Sequence, residues 1–141
     1  MAKKSFTCTL ITPHARVFEE DAIEAVLPLH DGSAGVLPMR APFVAELGLG
    51  ELHVTFAEGG SRAFFVEKGF AQMTSEKLTL LAETAIAAED LSSQDAEAEL
   101  AEANARKPQS GQEMVQVTTD RARARAKLSV ARRFQQTGGR I

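Results

Sequence analysis

Histidines, cysteines and paired carboxylates are the side chains from which an active site is usually assembled, and in this sequence they are dispersed. His14, His30 and His53 have no carboxylate or cysteine at metal-ligand spacing, so they read as loop or strand-surface residues. Cys8 is the single cysteine. It falls at an inward strand position and reads as a small core residue rather than a nucleophile. One cysteine excludes a disulfide framework or a cysteine-based zinc site within one chain. Glu19, Glu20 and Asp21 read as a solvated turn. There is no G-x-x-x-x-G-K-[ST] phosphate loop, and Gly48-Leu49-Gly50 lacks the rest of a dinucleotide fingerprint. No set of residues satisfies a nucleophile, base and orienter in outline. The sequence thus predicts no catalytic residue, no cofactor and no metal.

What the sequence does concentrate is charge. Residues 89–102 hold Glu89, Asp90, Asp95, Glu97, Glu99 and Glu102 without a base, and residues 121–133 hold Arg121, Arg123, Arg125, Lys127, Arg132 and Arg133 without an acid. These runs can pair with each other or with a partner of opposite charge. Exposed ion pairs are worth about 0.2 to 1 kcal/mol each and are screened by salt. The net charge of −3 is too small for nucleic acid to be the main partner.

The elements that carry these charges follow from periodicity. A length of 141 residues suits one domain, or a small domain with an appendage. Apolar stretches fall short of the roughly 18 to 20 residues that span a membrane. Residues 1–7 show no targeting segment. Residues 6–11, 22–29, 52–56, 62–67 and 78–81 alternate or run apolar as strands do, with a hairpin turn at Glu58, Gly59, Gly60 and Ser61. Many short strands argue for a β-sandwich or barrel. A boundary falls between residues 86 and 90, giving a β domain over residues 1–86 and a helical hairpin over residues 87–141. Asp90, Ser92 and Ser93 compete to cap a first helix reaching Ala105, with Leu91, Ala98, Ala101 and Ala105 in phase. Residues 107–111 form the break. The second helix is best formed over residues 120–134, with Ala124, Leu128 and Ala131 on one stripe; Val115, Val117, Thr118 and Thr119 make its start doubtful. The tail over residues 137–140 should fray. An alanine seam buries little area, so at about 25 cal/mol per Å² the hairpin associates weakly and is positioned to open; a fixed, solvated helical pair is the equal alternative from the residues alone.

Residues 32–42 read GSAGVLPMRAP, residues 65–73 read FVEKGFAQM and residues 78–85 read LTLLAETA. In order and spacing these resemble the epsilon subunit of F-type ATP synthase, with its G-x-x-G-[VI]-x-P-x-H-A-P loop, [FV]-x-x-G-[FV]-x-x-[VM] strand pair and L-x-A-[ED]-x-A ending. The likeness extends through the charged hairpin. It implies a ten-stranded N-terminal β-sandwich followed by a C-terminal two-helix antiparallel hairpin. The function implied is that of a non-catalytic central-stalk rotor subunit, coupling proton translocation to ATP synthesis and inhibiting ATP hydrolysis through its helices. The implied partners are the gamma subunit, the c-ring and the alpha/beta head. The implied location is peripheral, on the cytoplasmic face of the bacterial inner membrane.

By the same resemblance, Asp31, Gly32, Ser33, Ala34 and Gly35 match the loop that meets the c-ring. Met39 and Arg40 stand where the family often has Gly-His, and Arg40 can donate to a partner carboxylate or carbonyl. Arg121, Arg123, Arg125, Lys127, Arg132 and Arg133 match the helix that reaches acidic segments of the beta subunits. Each can instead pair within the chain with Glu97, Glu99 or Glu102. Some family members bind ATP through [IL]-D-x-x-R-A; here Ser92 replaces the Asp and Asp95 the Arg, so no ATP sensing is expected there. A stand-alone β-sandwich interaction module with dimerising helices is the alternative from residues alone.

Overall fold

Apolar residues two apart place one side of each strand in the interior, and this period governs the first part of the chain. The computed structural model describes residues 4–137. Residues 1–3, within the stretch weighed for a targeting segment, and residues 138–140 of the expected fraying tail lie outside the described residues. The strands are β1 Phe6–Ile11, β2 Arg16–Leu29, β3 Gly32–Val36, β4 Phe43–Glu46, β5 Gly50–Phe56, β6 Ser61–Thr74 and β7 Lys77–Ala87.

Among the described residues, seven strands thus stand where the family resemblance implies ten. The reason is continuity: β2 and β6 change neighbours on one side without breaking, and β7 stays paired with β6 throughout while its first half also takes β1. The first half of β2 pairs with β1, and its second half with β5 and β3. The first half of β6 pairs with β5 and its second with β4. Bends do the work of loops. The β2–β5 register shifts between Ala22 and Glu24. β6 bends at Lys68 and Gly69, whose φ values are 61° and 137°. A Cβ on Gly69 would lie 1.8 Å from the Leu81 carbonyl oxygen, so only glycine fits. β1 joins β7 in parallel and β2 antiparallel, closing the sheet on itself.

Inside lie Phe6, Cys8, Leu10, Leu27, Val54, Phe64, Val66, Leu78 and Leu80. The Phe18 ring stacks on Phe64 and meets Phe56 edge-on, both with centroids 5.6 Å apart. Burial of Cys8 pushes its thiol up to about 12.

A 3-10 turn, Ala88–Asp90, leads into helix α1, Ser93–Ala105, and α2 spans Gly111–Gln136. Ser92 is the cap among the three candidates, its hydroxyl accepting the Asp95 N–H at 3.2 Å. Ser110 caps α2 by accepting the Glu113 N–H at 3.1 Å, while the Glu113 carboxylate accepts the Gln109 N–H at 2.7 Å. That start carries the helix through Val115, Val117, Thr118 and Thr119 despite their poor propensity. The seam buries Ala96 and Ala103 of α1 with Val117, Ala124, Leu128 and Ala131 of α2. Ala98, Ala101 and Ala105 are exposed. Leu91 lies before the helix, so a stripe phased from it points the wrong way.

Candidate functional site

The four-residue run Ala63, Phe64, Phe65, Val66 is apolar at every position, which a half-exposed strand would not be. Phe64 and Val66 enter the core. Ala63, Phe65 and Glu67 face the other way, toward α2. Phe65 pairs in register with Glu51 of β5, and Ala63 with His53.

α2 lies along this outer face. Arg123 donates from Nε and Nη2 to the two oxygens of Glu67 at 2.7 and 2.8 Å. Lys127 Nζ lies 5.7 Å from the centre of the Phe65 ring. Val130 packs with Ala63 and Ala88, flanked by Leu91 and Phe134. Arg133 donates to Glu51. Positions 123, 127, 130 and 134 share one face of a helix. The rise from 123 to 130 is about 10.5 Å, close to the about 13 Å between Ala63 and Glu67 along an extended strand, so helix and strand stay in step. Phe65 is completely covered and Glu67 retains 7% exposure, although both are on the outside of the sheet.

Three basic side chains of α2 also bond within the hairpin. Arg121 donates to the Ala103 carbonyl at 3.2 Å, Arg132 to Glu97 at 2.7 Å and Lys127 to Glu99 at 3.5 Å. Glu102 instead takes Arg106, which also bonds Asp120, each at 2.5 Å. Asp120 in turn accepts from Arg123 at 2.7 Å. Arg125 is exposed and makes no side-chain bond among the described residues. The Arg123 guanidinium holds the Glu67 carboxyl below the usual range against the opposing effect of burial. Hydrogen bonds from Arg106, Arg123 and Gln116 bring Asp120 down to about 2.

The predicted c-ring segment is not a free loop. His30 and Asp31 make a tight turn, and residues 32–36 return as edge strand β3 against β2. Gly32 takes φ 136°, and Asp31, Gly32, Ser33 and Gly35 are exposed while Ala34 is half-buried. Gly32 and Ser33 share the rim of a hollow of about 760 Å³ with Glu51, His53 and Arg133. Met39 and Arg40 are not part of that hollow. Met39, 68% exposed at φ 69°, sits in a separate turn. Arg40 reaches back to the Gly35 carbonyl at 3.4 Å and lies 5.3 Å from the Phe43 ring centre. The structure therefore joins the β2–β3 hairpin to the end of α2 and leaves the Met39–Arg40 turn apart.

The profile of the ATP synthase, Delta/Epsilon chain, beta-sandwich domain matches residues 5–88. The chain belongs to the ATP synthase delta/epsilon family. It is similar to the ATP synthase epsilon chain of Nitratidesulfovibrio vulgaris (strain DP4), with 34% identity over 131 residues and 92% of each chain covered. It is also similar to the sodium ion specific ATP synthase epsilon chain of Propionigenium modestum, with 36% identity over 99 residues, 69% of this chain and 72% of that one. A chain of the Euglena gracilis mitochondrial ATP synthase (OSCP/F1/c-ring) shares the fold at TM-score 0.73 and 21% identity, covering 97% of this chain and 83% of that chain. A chain of the Tetrahymena thermophila mitochondrial ATP synthase central stalk/c-ring does so at TM-score 0.67 and 12% identity, covering 93% and 99%.

In this family member, periodicity alone passes over Glu67 and Glu51 as ordinary strand-surface acids. The available signal was the unbroken apolar run before Glu67, which requires a cover on both faces of β6.

Proposed function

We propose that the chain is a non-catalytic central-stalk rotor subunit of an F-type ATP synthase, coupling proton translocation to ATP synthesis and restraining ATP hydrolysis through its helices. The sandwich would bind gamma, and the exposed β2–β3 turn with Met39 and Arg40 would meet the c-ring. The basic face of α2 would reach the alpha/beta head when it leaves the sandwich, where opposite charge steers and holds it. The observation that carries this reading is how α2 is held: by separate ion pairs at Glu67 and Glu51 around a small apolar contact. Such a contact is sufficient to park a helix and weak enough to release it. No helix among the described residues is long and apolar enough to cross a membrane; the proposed place of the chain is peripheral, at the cytoplasmic face of a bacterial inner membrane.

Ending the chain after Asp90 keeps β7 and its 3-10 turn and removes both helices. In the assembled complex this truncation should raise ATP hydrolysis severalfold while gamma and c-ring still co-purify. Unchanged hydrolysis would make the hairpin merely structural. A chain that ignores gamma and self-associates would favour the dimerising module.

A further inference from the structure

The interface beneath α2 contains two acids that the apolar contacts do not explain, Glu67 and Glu51, and Glu67 is the more deeply covered. Glu67 sits on the outer face of β6, one residue before the Lys68–Gly69 bend, and its side chain keeps 10% of its accessibility. A carboxylate so covered is stable only if its oxygens are satisfied, and both are, by a single guanidinium from α2. Arg123 is itself oriented by Asp120, Asp120 by Arg106, and Arg106 by Glu102 at the end of α1. In the docked chain this series of ion pairs orients the Arg123 guanidinium toward Glu67. The apolar part between the anchors is small: Ala63, Ala88 and Val130, with Leu91 and Phe134 beside them. Charge therefore decides how firmly α2 is held.

We infer that Glu67 is the built-in competitor for the basic face of α2: it occupies Arg123 in the docked chain and so opposes capture of the helix by an acidic partner. Glu51 does the same for Arg133 more weakly, through one oxygen only. The inference rests on the reading of α2 as the inhibitory element, and adds what sets its resting position. Removing the Glu67 charge should release the helix and strengthen inhibition, whereas removing the helix should abolish it. The two perturbations act in opposite directions on hydrolysis.

The test uses the full chain with spin labels at Gln72→Cys and Arg125→Cys, both exposed positions, because the native Cys8 thiol is buried. Distances measured by electron double resonance should show mainly one population. Glu67→Gln, which keeps the shape of the side chain, should raise the ratio of distant to close pairs about tenfold. An unchanged distribution with Glu67→Gln overturns the inference. In the reassembled complex, Glu67→Gln should lower ATP hydrolysis severalfold. If the distances shift and hydrolysis does not, Glu67 still holds the helix and the inhibitory reading is what fails.

Discussion

Gly69 offers a quantitative test of the account of the bend. Its φ of 137° lies in a region that L side chains rarely adopt, and an added Cβ would stand 1.8 Å from the Leu81 carbonyl oxygen, 2.8 Å from its carbon and 2.9 Å from the Ala82 Cα. All three neighbours are backbone atoms of β7, so the clash cannot be relieved by a rotamer change. Backbone strain of about 1 to 3 kcal/mol and overpacking of a similar size together predict that Gly69→Ala destabilises by about 4 kcal/mol. With an unfolding entropy of about 2.1 cal/mol/K per residue, a chain of this length should then lose about 13 °C in Tm. The chain has no Trp or Tyr, so far-UV circular dichroism is the suitable probe for thermal and urea unfolding. Gly59→Ala is the control. Gly59 has φ 104° with nothing within 4 Å of the added Cβ, so it isolates the conformational cost, about 1 to 3 kcal/mol. A fall in Tm of less than about 3 °C for Gly69→Ala would refute the claim that the bend depends on backbone proximity at this residue.

Two further outcomes follow from titration. Glu67 and Asp120 have depressed values in the folded chain, Asp120 at about 2. Their contribution is therefore complete above the ordinary carboxylate range near about 4, and is lost as pH falls through the lowered values. The labelled 72–125 pair should report docked helices from pH 7 to about 5 and separation on acidification from about 4 toward 2; separation already at pH 6 contradicts the assignment. For the Cys8 thiol, raised to about 12, iodoacetamide at pH 8 should react at least about a thousandfold more slowly in the native chain than in urea. Comparable rates would place the thiol at the surface.

The strands that alternate in sequence, Phe6 to Ile11 and Leu52 to Phe56, are legible because one face of each meets the core. The second half of β6 and the short β4 were not, because Phe70 and Val44 are exposed on the outer face at 56% and 71% and blur the alternation. β3 is polar and glycine-rich, and exists only because β2 offers it a pairing edge. The break expected over residues 107–111 was evident from Pro108 and Ser110, but Gly111 already belongs to α2, whose start depends on a capping exchange with Glu113 that propensity does not register. Charge segregation announced the opposed acidic and basic runs. It did not reveal that Arg123 and Arg133 go to strand acids rather than to α1, since that choice is made by the register of α2 over β5 and β6.

The continuity of β2 and β6 has a mechanical consequence. Each is a 14-residue strand whose two halves hydrogen-bond to different neighbours. One layer cannot slide across the other without dragging covalent backbone around a corner, and closure by β1 leaves the ring no seam at which to unroll. A sideways load taken up at the β2–β3 turn would pass along the β2 backbone and then through the β2–β5 and β5–β6 hydrogen bonds, beneath α2. The β domain is thus built as a torsionally stiff block, and yielding under load is left to the helices that rest on it.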